Sequence, residues 1–390
     1  MRITGYRTLT TLHRWGRPIG DANGSVDSGT TQVPIVLLTT DTGLVGVGLG
    51  SHTHVEDLFP VLDGKDPRAV HALYDRMLAR VFKAGHAGAV FGTIGALDMA
   101  LWDLKAKAVE QPLWRLLGAA DHVVPAYASG LDGPLSDDAL VELQQQFVER
   151  GFTAVKLKGG LDAAADVRRL RLVGDVYAAA SGREPALMLD ANESLSRKEA
   201  VRHTAHIEDA LDLFWIEEPV RRWDADGLAL VSRSVRAAVA TGENLTGLEQ
   251  FRPLIRANAA DIVQTGSIWG ITHFLRVAGL AHAFDLPVSP VAYCANPVAH
   301  AAAVMPNHLA TEVQDIGFPV GLTVDQSFED GSIVLGEVPG LGVEVDEAAV
   351  DAVAAMAGWA APSSPHVRPP SAGRRLVGQF RRAPAPGHLS

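Results

Sequence analysis

Thr153-Ala154-Val155-Lys156-Leu157-Lys158 is a short β-rich run closed by two lysines, and it belongs to a repeating series. Val123–Ala128 precedes it, and Ala186–Asp190, Leu213–Glu217, Ala237–Gly242, Asp261–Thr265, Leu286–Pro290 and Leu309–Val313 follow. Helical stretches separate these runs, which recur every 22–33 residues or so, the length of a strand plus a return helix. Eight such units in series predict an α/β barrel of the (β/α)8 type. A doubly wound sheet would bring a glycine-rich phosphate turn. Gly46, Gly48 and Gly50 do not make one, and there is no P-loop.

Outward from the barrel, the N-terminal third reads as mixed α and β. Val33–Leu38 and Leu44–Leu49 flank Asp41-Thr42-Gly43 and predict a hairpin. From Arg68 to Leu117 the apolar spacing is helical, most clearly over Gly95–Leu104. Short strands return over Ser332–Val345, and Ala361–Ser390, rich in Pro, Arg, Ser and Gly, reads as an exposed tail. The expected division is an α+β cap over 1–120, a barrel over 121–328, a segment over 329–360 that returns to the cap, and a tail over 361–390.

Composition narrows the class. The 390 residues are 47% hydrophobic and carry a net charge of −11, which argues against nucleic acid as a partner. The lone cysteine, Cys294, excludes an intrachain disulfide framework and fits a reducing compartment. With no signal-like N-terminus and no long uncharged apolar run, a cytoplasmic protein without a membrane partner is expected.

In an α/β barrel the chemistry sits at the C-terminal ends of the strands. There, three consecutive runs end in a carboxylate: Asp190, Glu217 and Glu243, spaced 27 and 26 residues apart. Each step is one βα unit, so the acids converge at the mouth. Unaided, they would repel one another and protonate. A cation resolves this, and all-oxygen ligation points to Mg2+, with Mn2+ as the alternative. Lys156 and Lys158, at i and i+2, share a strand face beside them. A lysine crowded by a second cation is expected to lose pKa and serve as a base.

These motifs resemble the mandelate racemase subgroup of the enolase superfamily. The resemblance runs from about residue 2 to residue 350. It rests on Gly95–Asp103, Val155–Lys158, Leu189–Asn192, Trp215–Pro219, Gly242–Asn244, Glu312 and Pro339–Gly342. It implies a capping α+β domain over a (β/α)7β TIM-like barrel and a homo-oligomer. It implies Asp190, Glu217 and Glu243 as metal ligands, Lys158 as base, and Lys156 near the substrate carboxylate. Glu312 matches an acid that hydrogen-bonds that carboxylate, and Asn192 and Ser129 match substrate contacts. The family uses the region around His13–Arg17 as a specificity flap, where Arg14 or Arg17 would meet a distal anionic group.

The family's second base, a histidine after the seventh strand paired with an aspartate after the sixth, is missing. Thr265 or Gly266 stands at one position and Val291 at the other. Tyr293 reads as an aromatic substrate contact, with a substitute acid as the alternative. His273, His282 and His300 read as structural, Cys294 as a small buried residue, and His52 and His54 as a cap loop. A single base suits dehydration of a sugar acid, an aldonate or aldarate, through a stabilised enediolate. The alternatives are a cycloisomerase or racemase/epimerase of the same superfamily, and a metal-binding barrel without turnover.

Overall fold

The computed structural model describes residues 1–291 and 294–355; Tyr293 and the tail over 361–390 lie outside the described residues. In the cap, β1 (Ile3–Arg14) and a second long strand, Thr30–Thr40, pair antiparallel over their whole length. Between them stands a small hairpin, β2 (Ile19–Asp21) and β3 (Gly24–Val26). With the long strand as β4, β5 (Val45–Leu49) completes the expected hairpin after Asp41-Thr42-Gly43.

The helix Gly88–Lys107 lies under this sheet and is buried almost all round. Such a helix needs other elements on every side. Gly46 and Gly48 give the sheet its close approach: a Cβ there would meet the backbone oxygens of Ala100 and Ala96 at 2.3 and 1.8 Å. Two buried acids fasten the helix. Asp103 accepts from the Val47 and Leu341 amides, each at 2.8 Å, and from Lys107. Asp98 accepts from the amide and hydroxyl of Thr272, at 2.7 and 2.6 Å, which ties the cap to the barrel.

The barrel strands are β6 (Val123–Ala128), β7 (Ala154–Lys158), β8 (Ala186–Asp190), β9 (Leu213–Glu217), β10 (Ala238–Thr241), β11 (Ile262–Gly266), β12 (Val288–Val291) and β13 (Thr311–Val313). Neighbours from β6 to β12 pair in parallel, and β13 pairs back onto β6. A bridge between Val288 and His308 closes the ring. Seven helices alternate with the eight strands, the last a single short piece, Ala299–Ala302, so the arrangement is (β/α)7β. Tyr127, Met188, Trp215, Ala240 and Ile262 fill the interior.

After the barrel come β14 (Leu322–Val324), β15 (Gln326–Glu329), β16 (Ser332–Leu335) and β17 (Val343–Val345). β16 pairs antiparallel with β6. The helix Glu347–Ala354 returns the chain to the cap, where Glu347 forms a bidentate pair with Arg7 at 2.7 Å. No helix among the described residues is long and apolar enough to cross a membrane.

Candidate active site

Strand alternation places the chemistry. Ala154, Met188 and Trp215 pack in the apolar interior, so residues two and four further along point the same way. That brings Lys156 and Lys158 from β7, Asp190 from β8 and Glu217 from β9 to one mouth, with Asp190 level with both Lys158 and Glu217. Just past the strand ends the backbone is left-handed at Asn192, Glu193 and Glu218, with φ of 45°, 58° and 41°. Such conformations cost energy outside glycine and gather at functional sites.

Lys156 is fully buried. Its Nζ lies 2.6 Å from Glu217 Oε1, 2.9 Å from Glu312 Oε1 and 3.9 Å from Asp190 Oδ2. Lys158 Nζ donates to Asp190 Oδ2 at 2.5 Å, and its backbone amide donates to Asp132. Asn192 binds both oxygens of Asp190. Asn244 donates to Glu218 at 3.0 Å and to Glu243 at 2.8 Å, and Gln314 donates to Glu312 at 3.0 Å. The buried Ser129 hydroxyl stands beside Glu312.

Electrostatically, the cluster is over-supplied with acids. Asp190, Glu217, Glu218 and Glu312 are buried, Glu243 is partly so, and only two ammonium groups stand among them. Burial lifts Glu217 to about 8 against the pull of Lys156, and neighbouring acids add to the rise. Burial and Glu243 push Glu218 well above its usual range, and burial and Asp190 raise Glu243. Asp190 and Glu312 go down, because the lysines outweigh burial. The expectation that crowding lowers the lysines is corrected. Burial does oppose their charge, but Asp190 wins at Lys158 and Glu217 and Glu312 win at Lys156, so both are raised.

This donor set fits a divalent cation chemically: hard oxygens on three adjacent strand ends, with surplus negative charge. Among the described residues, however, no three acidic, histidine or cysteine side chains stand in a ready-made coordination arrangement. Two of the three acids are instead engaged by ammonium groups, Glu217 by Lys156 and Asp190 by Lys158.

The region after His13–Arg17 forms the β2–β3 hairpin. Gly20 bonds to the backbone at Leu131 and Gly133, and Asn23 donates to the Asn192 carbonyl. The Arg17 guanidinium donates to the Trp15 and Gly130 carbonyls and lies 4.0 Å from Asp315, while its buried Nε has no partner among the described residues. Arg14 is exposed at the end of β1. Cys294 is half-buried on a cavity wall rather than in the core. His52 bonds to Thr10 in the cap, and His54 is exposed beside Asp57. His273 and His300 are buried and structural: His273 packs edge-on against Phe91, and His300 meets the Leu341 carbonyl.

Several site residues were absent from the sequence reading. Asp132 follows β6 and pairs with Arg169 at 2.8 Å; the strand-end rule that found Asp190 also reaches it. Gln314 lies two residues beyond Glu312, on the same face. Gln264, two residues beyond the inward Ile262, is buried with no partner for its amide among the described residues. It stands one strand-step from the missing acid of the dyad, and a glutamine cannot ionise.

Comparison with known proteins agrees with this architecture. Residues 6–118 match the family model "Mandelate racemase / muconate lactonizing enzyme, N-terminal domain", and residues 139–349 match "Enolase C-terminal domain-like". The chain belongs to the mandelate racemase/muconate lactonizing enzyme family of the enolase superfamily. It is 33% identical to a 3,6-anhydro-alpha-L-galactonate cycloisomerase of Streptomyces coelicolor, over 75% of this chain and 80% of that one. It is 32% identical to an L-talarate/galactarate dehydratase of Salmonella typhimurium, over 67% and 68%. Among solved structures, a racemase from Streptomyces coelicolor with bound magnesium superposes with a TM-score of 0.82 at 29% identity, over 90% of this chain and 99% of that one.

Proposed function

We propose that this member of the family is a Mg2+-dependent enzyme in which Lys158 removes the proton alpha to a carboxylate, and that it dehydrates a sugar acid. The observation that carries the reading is the single cluster of Lys156, Lys158, Asp190, Glu217 and Glu312, brought together from β7, β8, β9 and β13. The dehydratase and the magnesium-bound racemase among its relatives support it. Asp190, Glu217 and Glu243 are the residues that would hold Mg2+, with Mn2+ as the alternative. When bound, the cation supplies positive charge where negative charge develops on the substrate carboxylate.

The chain's own groups do the rest. Lys158 takes the proton. Lys156, held by Glu217 and Glu312, stays charged beside the substrate carboxylate. Glu312, with Ser129 near it, fixes Lys156 beside that carboxylate, and Asn192 adds an amide from the neighbouring loop. With Thr265, Gly266 and Val291 at the dyad positions, this base acts from one face. Elimination on that face needs no partner opposite. Cycloisomerisation is the second reading, favoured by the same one-sidedness and by the cycloisomerase relative.

Incubation in D2O with Mg2+ and a pool of aldonic and aldaric acids tests the base. Deuterium next to a carboxylate, or loss of water, in the wild type and not in Lys158→Ala supports it. No exchange on any acid by a folded, Mg2+-loaded protein overturns it. Semicarbazide trapping of a keto acid separates dehydration from cycloisomerisation.

A further inference from the structure

Asp132 lies in the loop after β6, fully buried, and meets several parts of the chain at once. Its Oδ1 accepts from the Lys158 backbone amide at 3.0 Å. Its Oδ2 accepts from Arg169, on the helix Ala163–Ser181, at 2.8 Å. The same guanidinium donates to the carbonyls of Asp132 and Leu135, each at 2.9 Å, so it grips the loop as well as the carboxylate. The β2–β3 hairpin holds the loop too: Gly20 donates to the Leu131 carbonyl at 2.8 Å, and its own carbonyl accepts from the Gly133 amide at 3.1 Å. Leu131 packs with Ile19 and Val26 of that hairpin and sits at a φ of 51°, a conformation that costs energy outside glycine and persists only where the surroundings enforce it.

The strand register explains why the Lys158 amide needs this acceptor. β6 pairs with β7 at Ala128 and Val155 and ends there, so β7 runs on past its neighbour to Lys158. On the other flank, the Asp190 carbonyl of β8 takes the Gly159 amide at 2.9 Å. Successive amides of a strand point to alternate sides, so the Lys158 amide faces the flank where β6 has stopped. A buried amide left unpaired is costly. The Asp132 carboxylate supplies the acceptor that a strand carbonyl would have given. It acts on the backbone of Lys158, whereas Asp190 meets the Nζ of the same residue. A side chain swings from its own Cα, so the backbone hold decides where the Nζ can reach.

We propose that Asp132, braced by Arg169, is a positioning residue for Lys158: it fixes the backbone from which the base reaches the substrate proton. The inference rests on the reading of Lys158 as the base, and two measurements keep the two apart. Peptide-resolved hydrogen exchange of the Mg2+-loaded protein, with no substrate present, reads the hold itself. Asp132→Ala is expected to speed exchange over residues 154–160 by roughly tenfold or more, while β11 and β12 across the barrel keep the wild-type rate. Arg169→Lys keeps the charge and loses the planar fork that spans three acceptors, so it should loosen the same segment less; it carries the test if Asp132→Ala does not fold. Unchanged exchange at 154–160, or an equal rise across the whole barrel, overturns the proposal. Deuterium uptake next to the carboxylate, on an aldonic or aldaric acid that the wild type turns over, reads the aim. Per folded, Mg2+-loaded molecule, kcat in Asp132→Ala should fall roughly tenfold or more with KM within about threefold of wild type. Asp98→Ala also removes a buried carboxylate, at the cap–barrel joint, and should keep the wild-type kcat. A wild-type kcat in Asp132→Ala, or equal losses in the two alanine variants, overturns the proposal. If 154–160 loosens as expected but the wild type exchanges no acid, the hold on Lys158 stands and the base reading alone falls.

Discussion

Lys158 Nζ lies 2.5 Å from Asp190 Oδ2, so the proposed base is held by a proposed metal ligand. The two roles compete for one oxygen. While Asp190 faces the ammonium, the lysine keeps its proton; a cation that takes Asp190 weakens that hold. Cation binding and base activation are thus coupled through one carboxylate. The first prediction is that Mg2+ stabilises the folded protein by about 2.7 kcal/mol at a hundredfold excess over its Kd. Thermal melts with Mg2+ and with EDTA read this as a rise in Tm. Glu243→Gln should abolish the rise while leaving the EDTA melt nearly unchanged, since Glu243 receives a neutral amide from Asn244 and neither lysine bonds it.

A second prediction concerns Lys156. It is fully buried among Glu217, Glu312 and Asp190. Replacing one partner of a buried ion network leaves charge uncompensated and costs roughly 3–5 kcal/mol. Lys156→Met keeps the chain's bulk and removes the ammonium, so the loss is electrostatic. Denaturant melts should show that loss in EDTA and a larger Mg2+ recovery than in the wild type, because the cation then supplies the missing positive charge. A variant as stable as the wild type in EDTA would contradict it.

A third prediction tests the joint between cap and barrel. Asp98 accepts two hydrogen bonds from Thr272, and the Trp102 indole donates to the same threonine hydroxyl at 2.9 Å. Asp98→Ala strands a buried amide hydrogen and opens a gap in a helix packed on all sides. The expected cost is roughly 2–4 kcal/mol, at 1–3 kcal/mol for each unsatisfied buried group. Urea unfolding should show a lower midpoint, and a Thr272→Val variant should not add fully to it, because the two share one contact.

The sequence made the barrel legible because its period is local. β6, β8 and β9 fall on the runs read from composition, and the other barrel strands differ by a few residues at their ends. Asp190, Glu217 and Lys158 were legible because each ends its strand, and Lys156 because it shares a strand face with Lys158. What escaped depends on contacts between distant segments. Gly46 and Gly48 read as failed phosphate-loop glycines, whereas their role is the approach of the helix Gly88–Lys107. The pairing of His13 with Asp315 joins residues 302 positions apart, and no periodicity encodes it. Arg17 read as a partner for a distal anionic group, and its contacts with the backbone carbonyls at Trp15 and Gly130 have no sequence signature. The sign of the lysine shifts was missed because neighbouring acids, not the second ammonium, set the local field.

The fourth prediction concerns pH. His300 is buried at the foot of the cap–barrel junction, where its Nε2 meets the Leu341 carbonyl at 3.2 Å. Burial is the main cause that lowers its pKa from 6.5 to about 4, and His308 falls to about 4 and His273 to about 3 for the same reason. Between pH 6.5 and 4 the unfolded chain binds a proton at such a site and the folded chain does not. Stability from these groups is therefore full above the unfolded value and is lost as pH falls. For His300 alone the loss is about 3 kcal/mol, at about 1.4 kcal/mol per pKa unit. Other groups titrate in the same window, and Asp98, lifted to about 7 chiefly by burial, acts with the opposite sign. The clean quantity is thus a difference. His300→Gln keeps a donor toward Leu341 and cannot take up the proton. Urea melts of both proteins at pH 6.5, 5.5 and 4.5 should show the wild type losing more stability than the variant at each acid step. Parallel losses would mean that His300 accepts its proton in the folded protein, and that the junction is open to water.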